Sequence, residues 1–262
     1  MDAITAMLFF VLGAIFGSFA NVLIYRMPKK IPFAKGRSAC TSCKEALGIV
    51  DLIPIISYCA LRGKCRHCGA RFSVSYLFIE ILVALLFLGA YLRFGLYSSV
   101  FVVFILFVLV VLAIIDFHTL EIYDSLVAML FGCGLFWVVL HHFFSDVFLY
   151  APDWRSSIVG FFVGGFLLVL FNKLCLLFIK KEGFGFGDVK LMFAAGVFLG
   201  WQHTIVAFFL AFIIGGFVSG IGLLGGRVQR GDYVAFGPYL AIGTMLALFF
   251  GTHILGLYVK ST

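Results

Sequence analysis

Apolar residues in this chain come in blocks too long for a water-soluble core. Stretches at roughly 4–25, 75–92, 97–115, 122–141, 157–179, 189–200, 204–226 and 236–258 carry few charges. A helix needs about 20 mostly apolar residues to cross a bilayer; the sixth stretch is short. Composition agrees. Of the 262 residues 63% are hydrophobic and 12% charged, with a mean hydropathy of +1.16, whereas soluble domains carry about a quarter charged residues. The expected fold is an all-α polytopic membrane protein of about eight transmembrane helices. The 34 Phe residues read as lipid-facing bulk and helix packing rather than chemistry.

Charge orients the spans. Ten of the 19 Lys and Arg lie between Arg26 and Arg71, in the one long polar segment, as cytoplasmic positive charge demands. The net charge of +7 therefore reflects topology, and a nucleic-acid partner is not expected. The first apolar stretch has Asp2 before it and Arg26, Lys29 and Lys30 after it. That order is the reverse of a cleaved signal peptide, so it reads as a first spanning helix with its N-terminus outside. Eight crossings then place 26–74, 116–121, 180–188 and 227–235 in the cytoplasm, with Lys180, Lys181, Arg227 and Arg230 among them. Outside there remain Arg93, Arg155 and Lys260. The expected organisation is a first helix over 1–25, a small cytoplasmic zinc-ribbon-like insert over 26–74 and a helical bundle over 75–262.

The insert contains two C-x-x-C pairs, Cys40/Cys43 and Cys65/Cys68, with 21 residues between them. Two such turns can converge four thiolates on a tetrahedral zinc ion. The spacing lies just outside the usual zinc-ribbon range of about 15–20. Lys44, Lys64, Arg66 and Arg71 would offset the charge of the site, and Gly69 suits the tight turn after a ligand. Four protein ligands leave no open position, so the zinc is structural. It would supply folding energy that the few apolar residues of the insert cannot. A redox pair or free thiols is the alternative; structural disulfides do not suit a cytoplasmic address. His67 reads as exposed, and Cys59, Cys133 and Cys175 as ordinary buried thiols.

Of the twelve acids, Glu80, Asp116, Glu121, Asp124 and Asp188 lie at or near spans. Glu182 and Asp232 read as solvated loop acids. Asp116 closes the third stretch in "VVLAIIDFHTLEIYDSL" and Asp188 opens the sixth in "GFGFGDVK", so both stand at the cytoplasmic edge of the bundle. Ionisable groups at such depth face the protein interior or a wet cavity. Two carboxylates brought together cannot both ionise easily and keep one proton between them. The ionised acid takes a proton from water while the protonated one polarises a peptide carbonyl, which is hydrolysis without a covalent intermediate. Gly185 and Gly187 would let the backbone turn sharply and let an extended peptide approach; Lys190 would anchor at lipid head groups. Other readings stay open: Asp188 as a helix N-cap, an ion-pair partner, or a carboxylate pair for proton or cation transport.

Five motifs occur in order over nearly the whole chain: "GSFANVLIYRMP" (17–28), "RSACTSCKEALGIVDLIPIISYCALRGKCRHCGARFS" (37–73), "IDFHTLEIYD" (115–124), "GFGDVK" (185–190) and "FGPYLAIG" (236–243). Through them the chain resembles the bacterial type IV prepilin peptidases, the bifunctional leader peptidase and N-methyltransferase family. The resemblance implies a multi-pass enzyme of the bacterial inner membrane with catalytic Asp116 and Asp188. It implies substrates too: prepilins or pseudopilins whose basic leader is cut after a glycine at the cytoplasmic face. The new N-terminal residue, usually Phe, would then be methylated from S-adenosylmethionine. Asn21, Arg26 and the insert are the region implied for methylation or leader binding, with an interhelical hydrogen bond and a lipid anchor as the plainer roles of Asn21 and Arg26. Glu80 matches a family acid, either structural or a partner of the pilin amino group. Three positions depart from the family pattern. Thr41 and Tyr123 stand where proline is common, and "SYL" at 75–77 replaces an "RYP"-like segment, Ser75 removing one basic contact. A transporter using the same acids and a noncatalytic zinc-bearing scaffold are the rival classes.

Overall fold

In a computed structural model the chain is all-helical. Residues 1, 33–35, 37, 149, 181–182, 227–233 and 261–262 lie outside the described structure, as do the side chains of 179 and 258–260. The loop charges expected at Lys181, Arg227 and Arg230, the acids Glu182 and Asp232, and the side chain of Lys260 therefore fall outside the described residues. Among the described residues seven α-helices follow one another: α1 Ala3–Arg26, α2 Ile56–Ala60, α3 Val74–Thr119, α4 Asp124–Phe143, α5 Trp154–Ile179, α6 Phe186–Leu224 and α7 Gly237–Lys260. All but α2 are long and apolar enough to cross a bilayer, where a helix satisfies its own backbone groups.

Six long helices carry what the sequence divides into eight apolar stretches. The difference lies at two glycines. α3 passes through Gly95 (φ 72°, ψ −178°) and α6 through Gly200 (φ 71°, ψ 165°) with no intervening loop. A left-handed φ costs glycine little, so the helix axis breaks while the chain stays helical on both sides. Hydroxyls repair the interrupted ladder: Ser99 Oγ donates to Leu96 O at 2.8 Å and Thr204 Oγ1 to Gly200 O at 2.6 Å.

The chain separates into two compact units, Met1–Val111 and Leu112–Thr262. In the first, α1 lies against the opening arm of α3 through small residues. A Cβ on Gly13 would meet Ala84 Cα at 2.7 Å, and one on Gly17 would meet Glu80 Cα at 2.7 Å. Such backbone proximity is how helices associate where burial from water supplies no drive. Phe9 stacks on Tyr91 at 4.9 Å, and Asn21 Nδ2 donates to Tyr76 O at 3.1 Å, the interhelical bond that Asn21 offers. In the second unit α6 is the hub, packed by α5 and α7 and, less extensively, by α4. Phe171, Phe184, Phe208, Phe212 and Phe236 interlock there with centroids 4.5–6.2 Å apart. Other Phe side chains, among them Phe162, Phe178 and Phe217, are exposed, as lipid contact requires.

Candidate active site

Asp116 stands one turn before the end of α3. Thr119 Oγ1 donates to Ile115 O at 2.8 Å, Leu120 N to Asp116 O at 2.8 Å, and Leu120 takes a left-handed φ of 57°. The helix stops there, and 121–123 lead straight into α4. Asp188 sits in the first turn of α6. Its Oδ2 accepts from Gly185 N at 3.1 Å while Asp188 N donates to Gly185 O at 3.2 Å. This reciprocal cap makes Gly185 the N-cap and Asp188 the third residue of the helix, not the N-cap itself. One Asp188 oxygen is thereby fastened and the other left over.

Both acids line one open cleft of about 460 Å³ with Leu120 to Asp124, Gly185 to Gly187 and Lys190. Asp116 is 4% exposed and Asp188 7%. Among the described residues Asp116 Oδ2 and Asp188 Oδ1 are buried without a hydrogen-bond partner of ordinary geometry, although the Gly237 backbone lies against the Asp116 carboxyl, and the charges of the two carboxylates act on one another. Unmade hydrogen bonds on buried carboxylates are costly, so the pair is prepared for something that enters: water, an amide or a proton. Gly237, at the start of α7, closes the back of the site. A Cβ there would lie 2.5 Å from Asp116 Oδ2.

The glycines and the lysine act differently from expectation. Neither Gly185 nor Gly187 has a left-handed φ, so neither makes the sharp turn that only glycine could. Gly187 is needed for proximity, since a Cβ would meet Ile122 Cβ at 2.8 Å. Lys190 has a protein partner that the lipid-anchor reading did not foresee: its Nζ lies 2.7 Å from Asp124 Oδ1, joining α6 to the start of α4. Glu121 accepts from Tyr123 Oη at 3.3 Å. With one lysine against four acids, the cleft is electronegative and suited to a basic peptide.

The four-cysteine cluster lies in the first unit. Each C-x-x-C forms the same knuckle. Cys40 N donates to Glu45 O at 2.9 Å and Lys44 N to Cys40 O at 2.9 Å; Cys65 N donates to Ala70 O at 2.8 Å and Gly69 N to Cys65 O at 2.9 Å. Lys44 (φ 62°) and Gly69 (φ 71°) hold equivalent left-handed positions, so the first knuckle manages without the glycine of the second. The four Sγ atoms lie within 4.8 Å of one another and none is in a disulfide. Zn–S bonds of about 2.3 Å put tetrahedral sulfurs about 3.8 Å apart, so the cluster fits a divalent metal after slight contraction. The amides of Cys43 and Ser42 lower the Cys40 thiol to about 6, ready to ligate as thiolate. Arg66 pairs with Asp51 at 2.8 Å and His67 is exposed. Cys59 is exposed and Cys133 and Cys175 half-buried, so none of the three is the core thiol expected.

Of the other expected residues, Arg26 donates to Pro32 O at 3.0 Å and Gly36 O at 3.4 Å, bracing the segment after α1. Glu80 is 9% exposed and its Oε2 accepts from Ile55 N at 2.7 Å. Ile55 has φ 64° and ψ −52°, a strained conformation for a β-branched residue. Asn21, Arg26 and Glu80 line a second cleft, wholly within the first unit. Sequence reasoning did not find Gly237, the Lys190–Asp124 pair or the Ile55 contact. The only prior signal was the "FGPY" motif around Gly237.

Residues 11–94 match the bacterial peptidase A24 N-terminal domain, and residues 103–220 the type IV leader peptidase family. A "Prepilin leader peptidase/N-methyltransferase" of Bacillus subtilis is 31% identical over 96% of this chain and 96% of its own. One of Burkholderia pseudomallei is 32% identical over 92% of this chain and 84% of its own, and one of Aeromonas hydrophila 31% over 97% and 93%. No solved structure matches the chain.

Proposed function

Since this chain belongs to the type IV leader peptidase family, we propose that it removes the leader from type IV prepilins or pseudopilins and then N-methylates the new N-terminal residue. The observation that carries the reading is the buried pair of unpartnered oxygens on Asp116 and Asp188, facing one cleft from two helices 72 residues apart. With one proton between them, the ionised carboxyl draws a proton from water as it attacks the scissile carbonyl. The protonated carboxyl donates to the carbonyl oxygen, and the proton then passes to the leaving amine. Neither acid forms a bond to the substrate. Gly187 lets the start of α6 pack against Ile122, the Lys190–Asp124 pair ties α6 to the start of α4, and the acidic lining receives the basic leader before the cut after glycine.

The bilayer reading follows from lengths. At 1.5 Å per residue, 46 residues of α3 would reach roughly 69 Å and 39 of α6 roughly 58 Å, against about 30 Å of hydrocarbon. We read each arm either side of Gly95 and Gly200 as a separate crossing, the arm of α6 before Gly200 being the short one, which gives eight in a multi-pass protein of the bacterial inner membrane. Lys and Arg around 26–74 put the insert and the aspartates on the cytoplasmic side. The organisation is then a first helix (1–25), the four-cysteine insert (26–74) and the peptidase bundle (75–262). Zinc held by Cys40, Cys43, Cys65 and Cys68 would cross-link the two knuckles of the insert. S-adenosylmethionine supplies the methyl group.

The test is a reconstitution with a prepilin and S-adenosylmethionine, read by mass spectrometry of the pilin. Loss of the leader and gain of one methyl group are expected. An intact prepilin after prolonged incubation with folded protein would overturn the reading.

A further inference from the structure

Between its two knuckles the insert is inside out. Over 49–56 the large apolar side chains face outward: Ile49 is 84% exposed and Ile56 66%, with Val50, Leu52 and Ile53 exposed beside them. The acid of the same segment faces inward. The Asp51 side chain is 8% exposed, accepting from Gly48 N at 3.1 Å and pairing with Arg66. Tyr58 likewise turns its hydroxyl back to Phe72 O at 3.3 Å. Water favours the opposite arrangement, so a contiguous outward ridge of this kind marks a surface that meets something else.

The backbone of the ridge suits a dry neighbour. Asp51 N donates to Gly48 O, Leu52 N to Ile49 O, Ile56 N to Pro54 O and Ser57 N to Ile53 O. Pro54 has no N–H to satisfy, and Ile55, at φ 64°, gives its own to Glu80 Oε2 at 2.7 Å. Irregular backbone beside lipid needs such internal pairing.

The Glu80 bond also sets the level of the ridge. The arm of α3 from Val74 to Phe94 is about 31 Å long at 1.5 Å per residue, the thickness of the hydrocarbon layer. Glu80 lies about 9 Å along that arm, and its Cα is the atom that Gly17 of α1 approaches, about 14 Å before α1 ends at Arg26. A helical side chain leans towards the N-terminus, so Ile55 stands roughly one turn nearer the ends of both helices. That is the level at which acyl chains give way to head groups.

We propose that 49–56 is a lipid-contacting ridge that seats the insert in an anionic inner leaflet, its isoleucines at the acyl boundary. The inference goes beyond the leader-peptidase reading and rests only on the bilayer topology given with it. Charge agrees: Lys29 and Lys30 after α1 and Lys44, Arg62, Lys64 and Arg71 in the insert are exposed, while of the acids there Glu45 is exposed and Asp51 is held in its ion pair. Cations so placed are drawn to anionic head groups, and an amphipathic segment lies in the interface plane. α1 and α3 hold the insert at its two ends, and the ridge adds a third point of attachment.

The test needs no variant at first. Wild-type, zinc-loaded protein is reconstituted into vesicles of phosphatidylcholine and phosphatidylglycerol that carry a phospholipid with a diazirine near the top of its acyl chain. After irradiation, peptide mass spectrometry should place adducts on 49–56 as well as on outward side chains of the spanning helices such as Phe78. Adducts on the spanning helices with none on 49–56 would overturn this inference alone; adducts nowhere would fail the bilayer reading. Omitting phosphatidylglycerol should cut labelling of 49–56 at least ~2-fold, and unchanged labelling would refute the part given to the cations. Ile49→Trp and Ile56→Trp then read depth, by difference from wild type. Iodide in the water should quench the added fluorescence at least ~3-fold less than that of Glu45→Trp, and bromines on the lipid chains should quench it more. Equal access of iodide to all three positions, or shielding that arises only when a prepilin is added or the protein is crowded in the vesicle, would overturn the proposal in favour of a protein partner.

Discussion

Gly237→Ala is the sharpest probe of how the peptidase site is built. The added methyl would lie 2.5 Å from Asp116 Oδ2 and 3.0 Å from its Cγ, while real Cβ atoms essentially never come nearer than 3.0 Å to another heavy atom. The Asp116 carboxyl must therefore retreat by about half an ångström or more, or the start of α7 must recoil. Misplacement of a reacting group by about 1 Å can cost on the order of 100-fold in rate. We expect kcat for leader cleavage to fall ~10- to 100-fold, or about 1.4–2.7 kcal/mol of barrier. KM should change little, because Gly237 is not among the residues that line the open cleft. Gly185→Ala is the control from the same site. Its Cβ would sit 3.6 Å from Asp188 Oδ2, an ordinary contact, on a backbone that alanine adopts (φ −72°, ψ 156°). It should stay within roughly twofold of wild type. Steady-state cleavage of a purified prepilin, with thermal melting to check folding, measures both. Gly237→Ala at the wild-type rate would refute the claim that the Asp116 position sets the chemistry. Parallel losses in both variants would point to general intolerance of this region.

Further outcomes follow from the same geometry. Purified protein should carry about one zinc per chain, lost in Cys40→Ser and Cys65→Ser; a metal-free preparation that is fully folded would remove the structural need. Lys190→Ala should destabilise by less than about 1 kcal/mol, because its Asp124 partner is largely exposed; a larger loss in denaturant melts would mean the pair does more than tie α6 to the start of α4.

What the sequence discloses depends on how far each determinant reaches along the chain. Hydropathy marks the long helices because lipid imposes length and apolarity locally. It counts Gly95 and Gly200 as gaps between spans because it cannot see that a left-handed glycine keeps both neighbours helical. The C-x-x-C spacing reveals two knuckles, and the structure brings their sulfurs together. Asp116 and Asp188 stand out as acids at the ends of apolar runs. Gly237 and Ile55 do not stand out. Gly237 matters because of a side chain 121 positions earlier, and Ile55 has a backbone its β-branched side chain disfavours, held by Glu80 from another helix. Lys190 reads as a lipid anchor until α4 brings Asp124 to it.

The most direct test is of the two acids themselves. Asp116→Asn and Asp188→Asn keep shape and remove charge, and each should leave the leader attached to a co-expressed prepilin while the protein remains inserted and zinc-loaded. Mature pilin appearing with either variant at near the wild-type rate would contradict a mechanism in which both carboxyls share the work of splitting water across the amide.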